Sequence, residues 1–144
     1  MNTQLDKLSL LRTLTDAGIR PSVQRLEILE FISGCRTHPS ANEVYLHLAA
    51  DNPTLSRTTV FNSLRILAEH GVINDINIDS DSTRYDAPAQ TPHAHFMCRK
   101  CRRIFDIVIN LGDIKIDSDY TVDNVNVFFK GLCPECAVTE NSTN

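Results

Sequence analysis

Apolar residues recur at helical spacing through the first half of the chain and at strand spacing through most of the second. Residues 5–17 read as a first helix, with Leu5, Leu8, Leu11 and Leu14 at every third position and Gly18 as the stop. A second helix opens at Pro21-Ser22, carries Val23, Leu26, Ile28, Leu29 and Ile32 on its apolar face, and ends near Gly34. Ser40-Ala41-Asn42-Glu43 has the form of a capping box, so a third helix starts there and runs to about Ala50. Its buried side is expected to hold Val44, Tyr45 and either Leu46 or Leu48. Asp51-Asn52-Pro53 breaks the pattern, and Ser56 caps a fourth helix reaching His70, with Gly71 just past its end. Val60, Leu64 and Leu67 lie on one face of that helix, with Phe61 at its edge.

Beyond Gly71 the period shortens to two. Val72 to Ile78, the turn-like Asp79-Ser80-Asp81-Ser82, and Thr83-Arg84-Tyr85 predict a hairpin directly after the fourth helix, the position of a wing. Short helix, short turn, second helix and wing describe a winged helix-turn-helix. The polar face of the fourth helix bears Arg57, Thr58, Asn62 and Arg65. Arginine reads guanine bidentately and asparagine reads adenine, so this face suits DNA; the plainer alternative is a solvated helix surface. Asp86 to Pro92, with two prolines, reads as a connector. After it Phe105, Ile107 and Ile109 alternate, as do Val125, Val127 and Phe129, while Leu111 to Asp119 has room for no more than a small helical segment. The expected fold class is α+β: a winged-helix domain over residues 1–85, a hinge over 86–92, a small α/β domain over 93–138, and a polar, frayed tail over 139–144.

With 144 residues, 42% hydrophobic and 22% charged, the chain suits one ordinary domain or two small ones. No apolar run approaches a membrane span, and the N-terminus lacks the unbroken apolar core of a secretory signal. The protein is therefore expected in the cytoplasm, away from membranes, where thiols stay reduced. Its net charge of −4 gives no global attraction to nucleic acid. Residues 1–75 carry 7 basic and 8 acidic side chains, and residues 76–144 carry 7 and 10. Any DNA contact must come from a local face, and Asn52 to Ala68 holds two arginines and no acid.

The chemistry concentrates late in the chain. Cys98-Arg99-Lys100-Cys101 is answered, after a gap of 31 residues, by Cys133-Pro134-Glu135-Cys136. Two such pairs close on one tetrahedral zinc as a four-thiolate site; two disulfides are the alternative that a reducing compartment disfavours. Upstream, His93 and His95 alternate on a strand and so share a face, offering imidazoles that the zinc does not need. That surplus suggests a second metal. Cys35 is the unpaired thiol, placed as a small apolar residue at a helix end, and His47 and His70 read as surface or capping residues.

The order of helices, the wing, His-x-His and the two Cys-x-x-Cys pairs resemble the ferric uptake regulator (Fur) family of metal-dependent repressors over roughly residues 5–137. Thr37-His38-Pro39-Ser40-Ala41 and Thr59-Val60-Phe61-Asn62-Ser63-Leu64 stand where that family has its His-Pro segment and recognition helix. The resemblance implies a homodimer gripping double-stranded operator DNA through two winged helices, with the C-terminal domains as the dimer interface. Within the family the chain is most similar to the peroxide-responsive PerR branch. Carried over by motif, His38, Asp86, His93, His95 and Asp106 fall on that branch's regulatory metal ligands, and Cys98, Cys101, Cys133 and Cys136 on its structural zinc ligands. Asp106 stands where iron-sensing relatives typically have glutamate. Three imidazoles and two carboxylates suit Fe(II) or Mn(II), whereas four thiolates favour Zn(II). The branch senses peroxide by iron-catalysed oxidation of ligand histidines, which correspond to His38 and His93. Arg20 matches a basic position used for minor-groove contact and is otherwise a solvated loop arginine.

The chain departs from the family at three places. Phe61 replaces a common tyrosine of the recognition helix and lacks its hydroxyl contact. Asn110 to Asn124 is several residues shorter than in relatives, at the place of a helix in the dimerisation domain. Asp123-Asn124 replaces ligands of an additional metal site, so no third metal is expected. The nearest rival function is an iron- or other metal-sensing repressor that does not oxidise itself. A rival of another class is a zinc-thiolate thiol–disulfide switch. A zinc deaminase or hydrolase is set aside, because the proline follows Cys133 and no His-x-Glu is present. No enzymatic role is expected.

Overall fold

The computed structural model describes residues 6–88, 92–123 and 125–142. It divides into two compact units, residues 1–88 and 89–144. Leu5, residues 89–91 of the expected hinge, Asn124 and the last two residues of the expected tail lie outside the described residues.

The first unit contains α1 (Lys7–Asp16), α2 (Val23–Gly34), α3 (Ala41–Ala49), α4 (Arg57–Glu69), β1 (Asn74–Ile76) and β2 (Arg84–Asp86). Each helix begins on a side chain that accepts from a backbone N–H its first turn leaves unpaired: Asp6 from Leu8, Ser22 from Arg25, Ser40 from Glu43 and Ser56 from Thr59. Caps of this kind are worth about 1 kcal/mol each. The capping box is complete, since the Glu43 carboxylate also accepts from the Ser40 N–H at 2.7 Å. Gly18 (φ +76°) ends α1 and Gly71 (φ +70°) follows α4. No neighbour crowds either α-carbon, so the left-handed backbone alone explains the glycine at both places.

These helices bury one core of Leu10, Leu14, Ile19, Ile28, Leu29, Ile32, Val44, Leu48, Val60, Leu64, Leu67, Val72 and Ile73. Here the every-third-residue stripe of α1 is corrected. Leu8 is 51% exposed, and the buried pair is Leu10 and Leu14. A repeat of three lags the helical turn by about 60° per step, whereas residues four apart stack on one face. Val23 is exposed too, because it occupies the first turn of α2 ahead of the packed stretch, and Leu48 rather than Leu46 faces inward.

The wing pairs β1 with β2 antiparallel, Asp75 opposite Tyr85. The Pro39-Ser40 segment adds a third edge to it: Ser40 bridges Arg84, and the Tyr85 N–H donates to the Pro39 carbonyl at 3.0 Å. Asp86, expected in the hinge, is therefore the last residue of a wing strand. Arg84 locks this corner. It donates to the His38 carbonyl and to the Glu43 and Asp79 carboxylates, at 3.3–3.4 Å.

The second unit contains β3 (His93–Cys98), β4 (Ile104–Val108), a single 3-10 turn at Leu111–Asp113, β5 (Phe128–Gly131) and α5 (Pro134–Asn141). The sheet order is β4-β3-β5, with β4 antiparallel and β5 parallel to β3. Helix α5 runs through positions 139–141, which corrects the polar tail expected to begin at Thr139. None of its residues is fully buried, so it leaves no apolar periodicity to read; the visible signal was Pro134 at its first turn. Among the described residues the buried apolar set of this unit is small: Ala94, Met97, Cys98, Ile104 and Cys133. So thin a core requires another source of stability, and two of its five members are cysteines.

Candidate metal centres

The first centre forms where β3 ends and α5 begins. After Cys98 the chain turns tightly, with the Arg102 N–H on the Cys98 carbonyl at 2.9 Å and the Cys98 N–H on the Arg103 carbonyl at 3.0 Å. Arg102 takes a left-handed backbone at φ +64°, and the turn carries Cys101 back toward Cys98. Cys133 caps α5 and Pro134 fixes its first turn, which places Cys136 one turn on and on the same side. The four sulfurs lie within 4.8 Å of one another, with Cys101 Sγ 3.9 Å from Cys133 Sγ. A tetrahedral zinc with bonds of about 2.3 Å needs sulfur–sulfur edges of about 3.8 Å, so the set fits the ion. All five cysteines of the chain are free thiols.

The surroundings already favour thiolate at part of this cluster. Backbone N–H groups, that of Cys133 foremost, pull the Cys98 thiol down to about 6 against desolvation. Hydrogen bonds from Arg103 lower Cys101. Cys136 is pushed up to about 12, first by sharing a hydrogen bond with the Cys133 sulfur and then by desolvation. A cluster of four sulfurs without a cation cannot shed all its protons at once; a zinc ion supplies the missing positive charge.

Both units carry imidazoles and carboxylates. In the second unit His93 and His95 project from the same face of β3, their Nε2 atoms 3.2 Å apart. Asp106 on β4 stands directly opposite His95 in the register, and its Oδ1 lies 3.6 Å from His93 Nε2 and 3.5 Å from His95 Nε2. In the first unit His38 is buried at 2% exposure with Nε2 3.8 Å from Asp86 Oδ2. Its backbone lies in the left-handed region at φ +54°, immediately before Pro39. A non-glycine residue held there costs about 1–2 kcal/mol, and such strain concentrates at functional positions. Nitrogen and oxygen donors in these proportions suit Fe(II) or Mn(II) rather than zinc thiolate chemistry.

The fourth helix presents Arg57, Thr58, Phe61, Asn62 and Arg65 on its exposed side, while Val60, Ser63, Leu64 and Leu67 face the core. Arg57 hydrogen-bonds Asn42 and lies over the Tyr45 ring at 4.6 Å, and Arg65 pairs with Glu69 at 3.0 Å. These exposed contacts are weak enough for a phosphate to displace. Arg20 sits apart, in the loop between α1 and α2, where its carbonyl accepts from Arg25. His47 stacks on Phe31, His70 bonds the Ile66 carbonyl at the end of α4, and the partly exposed Cys35 contacts Thr37 Oγ1. Reading the sequence missed Arg84 and Arg103. Arg103, two residues past Cys101, was the more visible of them.

A winged helix followed by a small sheet domain with a four-thiolate centre and a histidine–aspartate set defines a metal-responsive DNA-binding regulator. A model of the ferric uptake regulator family matches residues 16–126, and the chain belongs to that family of transcriptional repressors. It is 31% identical over 131 residues to the peroxide-responsive repressor PerR of Staphylococcus aureus (strain Mu50 / ATCC 700699), covering 86% of each chain. Its fold is similar to PerR from Streptococcus pyogenes, a structure described as the basis for peroxide sensing and gene regulation. That match has 29% identity and a TM-score of 0.52, and covers 94% of this chain and 98% of that one. It is also similar to a zinc uptake regulator complexed with zinc and DNA, at 19% identity and a TM-score of 0.67, covering 98% of this chain and 99% of that one. Among the described residues no helix is long and apolar enough to cross a membrane.

Proposed function

We propose that this protein is a peroxide-responsive repressor in which His38, Asp86, His93, His95 and Asp106 serve as the regulatory ligands for Fe(II) or Mn(II), while Cys98, Cys101, Cys133 and Cys136 hold zinc for architecture. The observation that carries the reading is the pairing of Asp106 with two imidazoles on the adjacent strand, an open-sided set of hard donors beside a separate thiolate cluster. The similarity to PerR supports it. Ferrous iron, when bound, would catalyse cleavage of the O–O bond of a peroxide, the two electrons coming in net from the imidazole that is oxidised.

The residues do the rest. Asp106, fixed opposite His95, would hold the ion together with the imidazoles of β3. The imidazole carbon of His38 or His93 between its two ring nitrogens gains one oxygen atom of the peroxide, and the other leaves as water. A ring so altered is a poorer ligand. Losing a ligand weakens uptake of the regulatory ion, and with it the metal-dependent form that grips an operator.

Arg20, Arg57, Thr58, Phe61, Asn62 and Arg65 make the DNA contact in this reading. The chain acts as a homodimer. Ile114, Ile116, Tyr120, Val122, Phe128 and Phe129 are all exposed on the second unit, and pairing with a second copy would cover part of this apolar area.

Zinc-loaded protein is charged anaerobically with Fe(II) or with Mn(II), exposed briefly to peroxide, and analysed by peptide mass spectrometry. One added oxygen at His38 or His93 in the iron form alone is expected, with loss of operator binding. Intact histidines beside oxidised cysteines would favour the thiol switch, and a wholly unmodified protein a metal sensor that does not oxidise itself.

A further inference from the structure

Arg103 joins the two halves of the cysteine cluster. Its Nε donates to Cys101 Sγ at 3.5 Å, and its Nη2 pairs with Glu135 Oε2 at 2.6 Å. Glu135 lies between Cys133 and Cys136 in the first turn of α5, so one guanidinium spans from one Cys-x-x-Cys pair to the other. The guanidinium also lies over the Phe105 ring at 5.4 Å. The neighbouring cations are engaged differently: Arg99 pairs with Glu140, and Lys100 bonds Thr139 Oγ1.

We propose that Arg103 is a positioning residue that protects the zinc thiolates from oxidation, its N–H and charge withdrawing electron density from the Cys101 sulfur. Beside a free thiol, a cation raises reactivity by increasing the thiolate fraction. Zinc-bound sulfur is already a thiolate, so that gain is absent and the loss of nucleophilicity remains. Oxidation of this site by hydrogen peroxide takes one electron from each of two thiolates, forms one S–S bond and yields two hydroxide ions; two sulfurs alone no longer hold the ion. A repressor that senses peroxide at histidine needs this competing reaction to be slow. The inference rests on the zinc reading of the cluster and not on histidine oxidation.

The test uses full-length protein loaded with zinc only, so histidine chemistry plays no part. Zinc release under hydrogen peroxide is followed with a chromogenic chelator in wild type, Arg103→Met and Arg103→Lys, with chelator alone as the parallel measurement. Arg103→Met keeps an unbranched stem but removes the charge and the donors. Peroxide-driven release about fivefold faster is expected, the factor set by losing one partly exposed charge-assisted hydrogen bond. Release to chelator alone stays at the wild-type rate, Cys101 becomes the first sulfur oxidised, and Arg103→Lys falls between. Equal peroxide rates in Arg103→Met and wild type would overturn the proposal. So would a matching rise with chelator alone, which would make Arg103 a brace for the fold rather than a shield.

Discussion

Cys133→Ser is expected to abolish zinc binding and to unfold the second unit while leaving the first folded. Cys133 is buried and belongs to a core of five small or medium apolar residues, too few to hold a unit of this size without help. Structural zinc contributes about 10 kcal/mol or more in small zinc-folded peptides, comparable to the whole stability of an ordinary domain. The first unit has its own core of thirteen buried residues running from Leu10 to Ile73, and none of them is a cysteine. Metal analysis should therefore show almost no zinc per chain. Limited proteolysis should leave a resistant fragment ending near Pro88, the boundary between the units. Retention of a full zinc with an intact second unit would mean that the four-thiolate site is not what holds it together.

His95→Ala is expected to have the opposite signature: zinc and fold unchanged, regulation lost. Its ring touches both His93 and Asp106, so removing it takes away a proposed ligand and the contact that orders the other two. Operator binding measured at a fixed Mn(II) concentration should weaken by up to about 100-fold, the upper range for coupling between two binding sites. Binding without regulatory metal should not change. A variant that still tightens on DNA when Mn(II) is added would remove His95 from the account.

Much of the first unit was legible in the sequence because its signals are local. Ser40 and Ser56 cap helices where the capping pattern placed them, Ser22 caps the helix that Pro21-Ser22 was expected to open, and Gly71 ends α4 as its position implied. The leucine repeat of α1 misled because a spacing of three fits a helix only approximately, and Leu8 drifted off the buried face. In the second unit, α5 escaped because zinc ligation and surface pairs such as Arg103–Glu135 hold it, not an apolar stripe. The cysteine spacing announced its centre outright. His93 and His95 followed from strand alternation, whereas His38, Asp86 and Asp106 are single residues far apart in sequence, and only the family resemblance singled them out. The left-handed backbone of His38 and the register that sets Asp106 opposite His95 are properties of the folded chain.

The central claim is that the histidines and aspartates take up a regulatory ion distinct from zinc, and anaerobic Mn(II) titration of the zinc-loaded protein tests it most directly. One tight ion per chain is expected in wild type. Asp86→Ala and Asp106→Ala should each weaken Mn(II) uptake and leave zinc in place. Mn(II) uptake that survives both substitutions unchanged, or that occurs only by displacing zinc, would contradict it.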